Sequence, residues 1–122
     1  IGSKLAEEAR RFIEHVVWQG EGDLATMLDA PYTMMDAELA GFYGVSAPAG
    51  AGWQRVSLDP AHRAGIVTAA GPLTLLTPGA HTNPVKRGVF VRERVLCDPP
   101  PAPPVGLKVE PPPPNPNLST RD

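Results

Sequence analysis

Ten of the sixteen prolines in this 122-residue chain fall between Pro99 and Pro116. A residue with a fixed φ and no amide hydrogen cannot continue a helix or sit inside a sheet. The stretch is therefore expected to run as extended polyproline II, as a surface strap or a spacer. Leu107 and Val109 interrupt the prolines and could pin the tail to the globular part. The core must come from residues 1–98, which suffice for one hydrophobic centre and not for two. The expected organisation is a single helical domain over 1–98 followed by a proline-rich tail or linker over 99–122.

Within 1–98 the dominant signal is helical. Leu5, Ala9, Phe12, Ile13, Val16 and Val17 recur at three- and four-residue steps, the period of one helical face. With Ser3 as a cap and Glu7 and Glu8 in the first turn, this predicts a helix over 4–19, ended by Gly20 and Gly22. Asp23 can cap a short helix over Leu24–Leu28 that stops before Pro31. Thr33-Met34-Met35-Asp36 resembles a capping box with Asp in place of Glu, predicting a helix over 34–43 released by Gly44. Residues 45–52 form a loop. Trp53–Leu58 alternates like a short strand, but no partner strand is visible. Trp53 is expected to be at least half buried. Ile66–Leu76 reads as a buried helix bent or divided at Pro72. Asn83 as N-cap and Pro84 at the first helical position open a last helix, which Asp98-Pro99 ends. The fold class predicted is mainly α: a small helical domain with long irregular loops and a proline-rich extended tail.

A net charge of -2 and a pI near 5.9 exclude the dense basic footprint of a nucleic-acid binder. No stretch is long and apolar enough for a membrane-spanning helix. Cys97 is the only cysteine, so neither an internal disulfide nor a cysteine-rich metal site can form. At the end of an apolar helix it is expected to be a buried structural thiol. The opening Ile-Gly-Ser-Lys is expected to be an excised or engineered start, with no signal peptide expected in this stretch.

Candidate chemistry is sparse. His15, His62 and His81 match no metal or haem spacing. His15 sits in a helix, whereas His62 and His81 fall in turns. The entrance His81-Thr82-Asn83-Pro84-Val85-Lys86-Arg87-Gly88 offers helix amides and the cations Lys86 and Arg87, a combination that can hold an anion. Asn83 can satisfy those amides itself. Arg63 and Arg87 each stand close before a glycine, in Arg-Ala-Gly and Lys-Arg-Gly. A guanidinium fork there can hold carbonyls or a carboxylate, with the glycines admitting a neighbouring backbone. Arg87 is expected to organise its turn by reaching Asp36, Glu38 or Asp59. Arg63, His81, Thr82, Asn83, Lys86 and Arg87 are thus a structural or binding motif, with no catalytic or metal-ligating residue assigned.

ELAGFYGV, WQRVSL, HRAGIVTAAGPLTLLT and TNPVKRGVFVRERVLCDPPPAPPVGL, in that order, resemble the junction of two consecutive domains of unknown function. These domains occur in large planctomycete and myxobacterial proteins named for their cytochrome-c-like domains. The first third is similar to the end of the earlier domain, and residues from about 62 onward to the next, with a boundary near 60. Thr82, Pro84, Val85, Arg87 and Gly88 match the family's most recognisable motif, in which serine usually stands where this chain has Asn83. Arg63 and Gly65 match its other arginine-glycine turn. Ala80-His81 departs from the polar pair usual before the threonine, and Pro72 breaks a run usually less interrupted. The closing LSTRD resembles the lead-in to a downstream Cys-x-x-Cys-His segment.

The resemblance implies a structural or interaction module of a larger periplasmic or otherwise extracytoplasmic protein. No cofactor is expected in this segment, with haem c expected in a neighbouring domain. The expected partners are neighbouring domains of the same polypeptide or a redox partner protein. The alternative is a fragment of an oxidoreductase or hydrolase whose active site neighbouring domains complete.

Overall fold

A computed structural model describes residues 1–77 and 83–106. The chain divides into two compact units, Ile1–Leu75 and Leu76–Asp122.

In the first unit, α1 (Gly2–Glu14) continues into a wider, π-type turn over His15–Gln19. Its buried stripe is Leu5, Glu8, Phe12 and Val16. Ile13 and Val17, expected on that face, are exposed. Ser3 lies inside the helix, and Ile1 is the N-cap without a side-chain bond. Helix α2 (Leu24–Asp29) is capped as expected: Thr26 N–H donates to Asp23 Oδ1 at 2.6 Å.

The chain then turns into a strand. Tyr32–Met35 (β1) pairs antiparallel with Gln54–Ser57 (β2), Tyr32 opposite Ser57 and Met35 opposite Gln54. The Leu58 amide extends the ladder by donating to the Pro31 carbonyl at 2.8 Å. This pairing overturns the mainly α prediction, because a two-stranded sheet runs through the core and the fold is small and mixed α/β. The physical reason lies in both faces of the sheet. Side chains alternate along a strand, so Met35 and Val56 join the cluster of Leu5, Leu39, Ala40 and Ala70. Tyr32 and Met34 join a second cluster around Phe12, Val16 and Ala30. A short strand covered on both faces has no apolar–polar alternation to announce it.

Helix α3 is accordingly Ala37–Tyr43 and starts three residues later than predicted. Asp36 is itself the N-cap, accepting from Leu39 N–H at 2.9 Å, while Thr33 to Met35 belong to β1. Gly44 ends the helix in the left-handed conformation at φ 70°. Lys4, near the start of α1, pairs with both Asp36 and Glu38.

The run after the Arg63 turn divides three residues earlier than expected, before Pro72 rather than at it. A 3₁₀ turn, Ile66–Thr68, is followed by α4 (Ala70–Leu75), with the break at extended Ala69. Pro72 lies in the first turn of α4, where a missing amide hydrogen removes no helical bond. Gly71 permits close packing on α1, since a Cβ there would stand 2.8 Å from the Leu5 carbonyl oxygen.

In the second unit Asn83 caps α5 (Pro84–Phe90) by accepting from Lys86 N–H at 2.9 Å, and Pro84 is its first residue. A π-type turn over Val91–Val95 continues it. Cys97 is exposed rather than buried and takes φ 53°, so it faces solvent where the helix ends. Residues 99–106 carry neither helix nor strand. No helix among the described residues is long and apolar enough to cross a membrane.

Candidate functional site

The chemically loaded point of the first unit is Glu8. Its position between Leu5 and Phe12 on the buried stripe of α1 carries the carboxyl into the core, where it is 0% exposed. Thr33 Oγ1, from β1, donates to Oε1 at 2.8 Å. Tyr43 Oη, from the last turn of α3, lies 2.7 Å from Oε1 and 2.9 Å from Oε2. The same phenol oxygen accepts the Ala70 amide hydrogen at 2.7 Å, where α4 begins. Four elements therefore meet on one carboxyl and one hydroxyl.

Arg63 covers this cluster. Its guanidinium stacks on the Tyr43 ring, 4.7 Å from the centroid, and Nη1 donates to the Thr68 carbonyl at 2.9 Å. Thr68 Oγ1 closes the turn by accepting from Ala64 N–H at 2.8 Å and donating to the Ala64 carbonyl at 2.7 Å. Gly65 makes that turn fit. At φ 59° it donates its amide to the Ala30 carbonyl at 2.9 Å, and a Cβ would stand 2.2 Å from the Leu28 carbonyl group. Only glycine combines this backbone conformation with so close an approach.

Electrostatics follow from the geometry. Burial pushes the Glu8 carboxyl above the usual carboxylate range, while the Tyr43 and Thr33 hydroxyls and the Arg63 charge pull it down. Burial raises the Tyr43 hydroxyl in the same way, and the neighbouring carboxyl adds to it. Among the described residues no cation forms an ion pair with Glu8, and Arg63 directs Nη1 to the Thr68 carbonyl.

The sequence-predicted residues separate. Arg63 belongs to the first unit, and Asn83, Lys86 and Arg87 to the second. His81 and Thr82 lie outside the described residues. Asn83 serves as a helix cap, and the Lys86 side chain is exposed. Arg87 Nε is buried without a hydrogen-bond partner among the described residues. The acids expected to receive it are engaged elsewhere: Asp36 and Glu38 by Lys4, and Asp59 by His62 and the Ala61 amide. A Cβ on Gly88 would meet no described atom within 4 Å, so that glycine admits no close neighbour. His62 is exposed beside Asp59, and His15 bonds Gln19 edge-on to Tyr32. No cluster of three or more potential metal ligands occurs among the described residues.

Sequence reasoning missed Glu8, Thr33 and Tyr43. Glu8 was readable, since it is an acid three residues after Leu5 and four before Phe12, on the apolar stripe itself. Assigning it to the helix dipole by its first-turn position hid that register.

Residues 1–45 match the family model PSD4, a protein of unknown function (DUF1592). Residues 63–122 match PSCyt3, a protein of unknown function (DUF1588). The chain is similar to two consecutive domains of unknown function. No curated protein and no solved structure matches it. The two matches do not coincide with the two structural units. Glu8, Thr33 and Tyr43 lie in the DUF1592-like segment, Arg63 and Ala70 in the DUF1588-like one, and all five belong to the unit Ile1–Leu75.

Proposed function

We propose that this chain is a structural or interaction module of a larger exported, haem-associated protein, in which it fastens one family segment to the next. The observation that carries this reading is the Glu8–Tyr43–Ala70 contact, backed by Arg63 on the Tyr43 ring. It joins residues from both family segments inside one core. A module of this kind needs rigid internal contacts rather than an open cleft of reactive groups, and its polar residues are spent on caps and turns. The cytochrome element in the name PSCyt3 supports the haem association. In this reading haem c sits in a neighbouring domain, the setting is periplasmic, and the partners are neighbouring domains or a redox protein.

Splitting the chain in the loop before Arg63 tests the module directly. Fragment 1–60, cut off from the α4 contact, should lack cooperative thermal unfolding, and mixing it with 61–122 should restore it. Folding of 1–60 by itself with a native-like spectrum would dismiss the reading. The haem assignment has its own assay. After co-expression with a cytochrome maturation system this segment should give no pyridine haemochrome, whereas a longer protein with the downstream segment should give one.

A further inference from the structure

The phenol of Tyr43 makes three close polar contacts with one hydrogen of its own. Ala70 N–H donates to its oxygen at 2.7 Å, and Oε1 and Oε2 of Glu8 lie at 2.7 and 2.9 Å. A hydroxyl carries a single donor. With the carboxyl ionised, one phenol hydrogen is shared between Oε1 and Oε2 in a bent three-centre bond, whereas a hydrogen on the carboxyl gives each contact its own. A protonated Oε2 donates to Tyr43 Oη and closes a two-bond ring, leaving Oε1 to accept from Tyr43 and Thr33. The ionised carboxylate instead stands in the core with hydroxyl donors alone, without an ion pair among the described residues. That is the costly state for a buried charge.

We propose that Glu8, Tyr43 and the Ala70 amide form a proton-fastened latch: with a proton on Glu8 the first turn of α4 is held to α1 and α3, and proton loss loosens it. The inference deepens the module reading, because the latch acts on the contact that joins the two segments. The groups facing Glu8 are Tyr43 from α3, Thr33 from β1, the Ala70 amide of α4, and Arg63 from the turn that precedes α4. On α1 itself, Lys4 turns to Asp36 and Glu38, and Glu7 to Arg10 and Arg11. Of Glu8 and Tyr43, Glu8 loses its proton first as pH rises, since burial holds the Tyr43 hydroxyl above its ordinary range.

The direction follows from linkage. A carboxyl whose folded pKa is raised keeps its proton in the folded state after the unfolded chain has lost it. Its contribution is complete below the ordinary glutamate value of 4.5 and declines as pH rises through the folded value. The lowered acids Glu7, Asp23, Asp36 and Asp59 act oppositely, losing their contribution as pH falls. The difference between wild type and Glu8→Gln isolates the latch, since glutamine keeps the shape and cannot ionise.

The experiment is hydrogen exchange of the Ala70 amide in the whole chain, as protection factors corrected for intrinsic rates, from pH 4.5 upward. Wild type should lose protection by up to about tenfold per pH unit within the titration window, and Glu8→Gln should remain flat. A carboxylic-acid carbonyl band in the infrared, present in wild type above pH 4.5 and missing in Glu8→Gln, provides a readout independent of stability. Flat wild-type protection, an equal slope in Glu8→Gln, or absence of that band would overturn the latch. Unfolding of Glu8→Gln at every pH would also overturn it, by showing that the charge is required. Each of these outcomes leaves the module reading standing, because that reading fails only if fragment 1–60 folds alone.

Discussion

Arg63 and Arg87 look alike in sequence, each a basic residue just before a glycine that leads into an apolar run, and the fold uses them differently. Arg63 stacks on a half-buried tyrosine and holds the Thr68 carbonyl, and its glycine is wedged against the end of α2 at positive φ. Arg87 leaves a buried Nε without a partner among the described residues, and its glycine is an ordinary helical position in open space. The difference teaches that an arginine–glycine pair organises a turn only where another element supplies the carbonyl, the ring and the close backbone. The first unit provides α3, the Ile66–Thr68 turn and the end of α2 around the Arg63–Gly65 turn.

The sharpest way to break the comparison is at the glycines. Gly65→Ala should destabilise by about 3 kcal/mol or more, from a positive φ and a Cβ driven into the Leu28 carbonyl. Equilibrium denaturation measures it, and a loss below about 1 kcal/mol would place the close approach in doubt. Tyr43→Phe comes next. It leaves the Ala70 amide and the Glu8 carboxyl without their shared hydroxyl and should cost roughly 2 kcal/mol. Chemical denaturation below pH 4.5, where the Glu8 carboxyl holds its proton in both the folded and the unfolded chain, keeps its ionisation out of that measurement.

Between the arginines, Arg63→Ala should cost roughly 1.5 to 2 kcal/mol through the Thr68 bond and the Tyr43 stack. Arg87→Ala should cost under about 1 kcal/mol, since it removes a donor that no described group receives. Equal losses in matched urea titrations would erase the distinction. Arg63→Lys should recover only part of the loss, because an ammonium cannot stack and reach as the planar fork does. The smallest effect has the opposite sign. Gly88→Ala should stabilise α5 by about 0.5 to 1 kcal/mol, seen as a higher melting temperature, provided the position is as open as it stands.

The sequence by itself determined the features whose chemistry is local. Asp23 and Asn83 cap the helices they precede because an acceptor on the side chain meets an amide three residues on. Gly44 releases α3, Pro84 opens α5, and the proline run after Leu96 admits neither helix nor strand over its described part, each through the torsions of a single residue. The Leu5–Phe12–Val16 register was legible in the same way, since a helix repeats its face every three to four residues. Only the tertiary structure decided what those faces meet. Thr33 and Tyr43 come to Glu8 across 25 and 35 positions, and Ala70 comes to Tyr43 across 27. β1 became a strand because β2, some twenty positions away, paired with it and both of its faces were covered. Local torsions choose a segment's shape, but the environment of a buried carboxyl, a strand or a guanidinium is set by distant partners, which no short window of sequence contains.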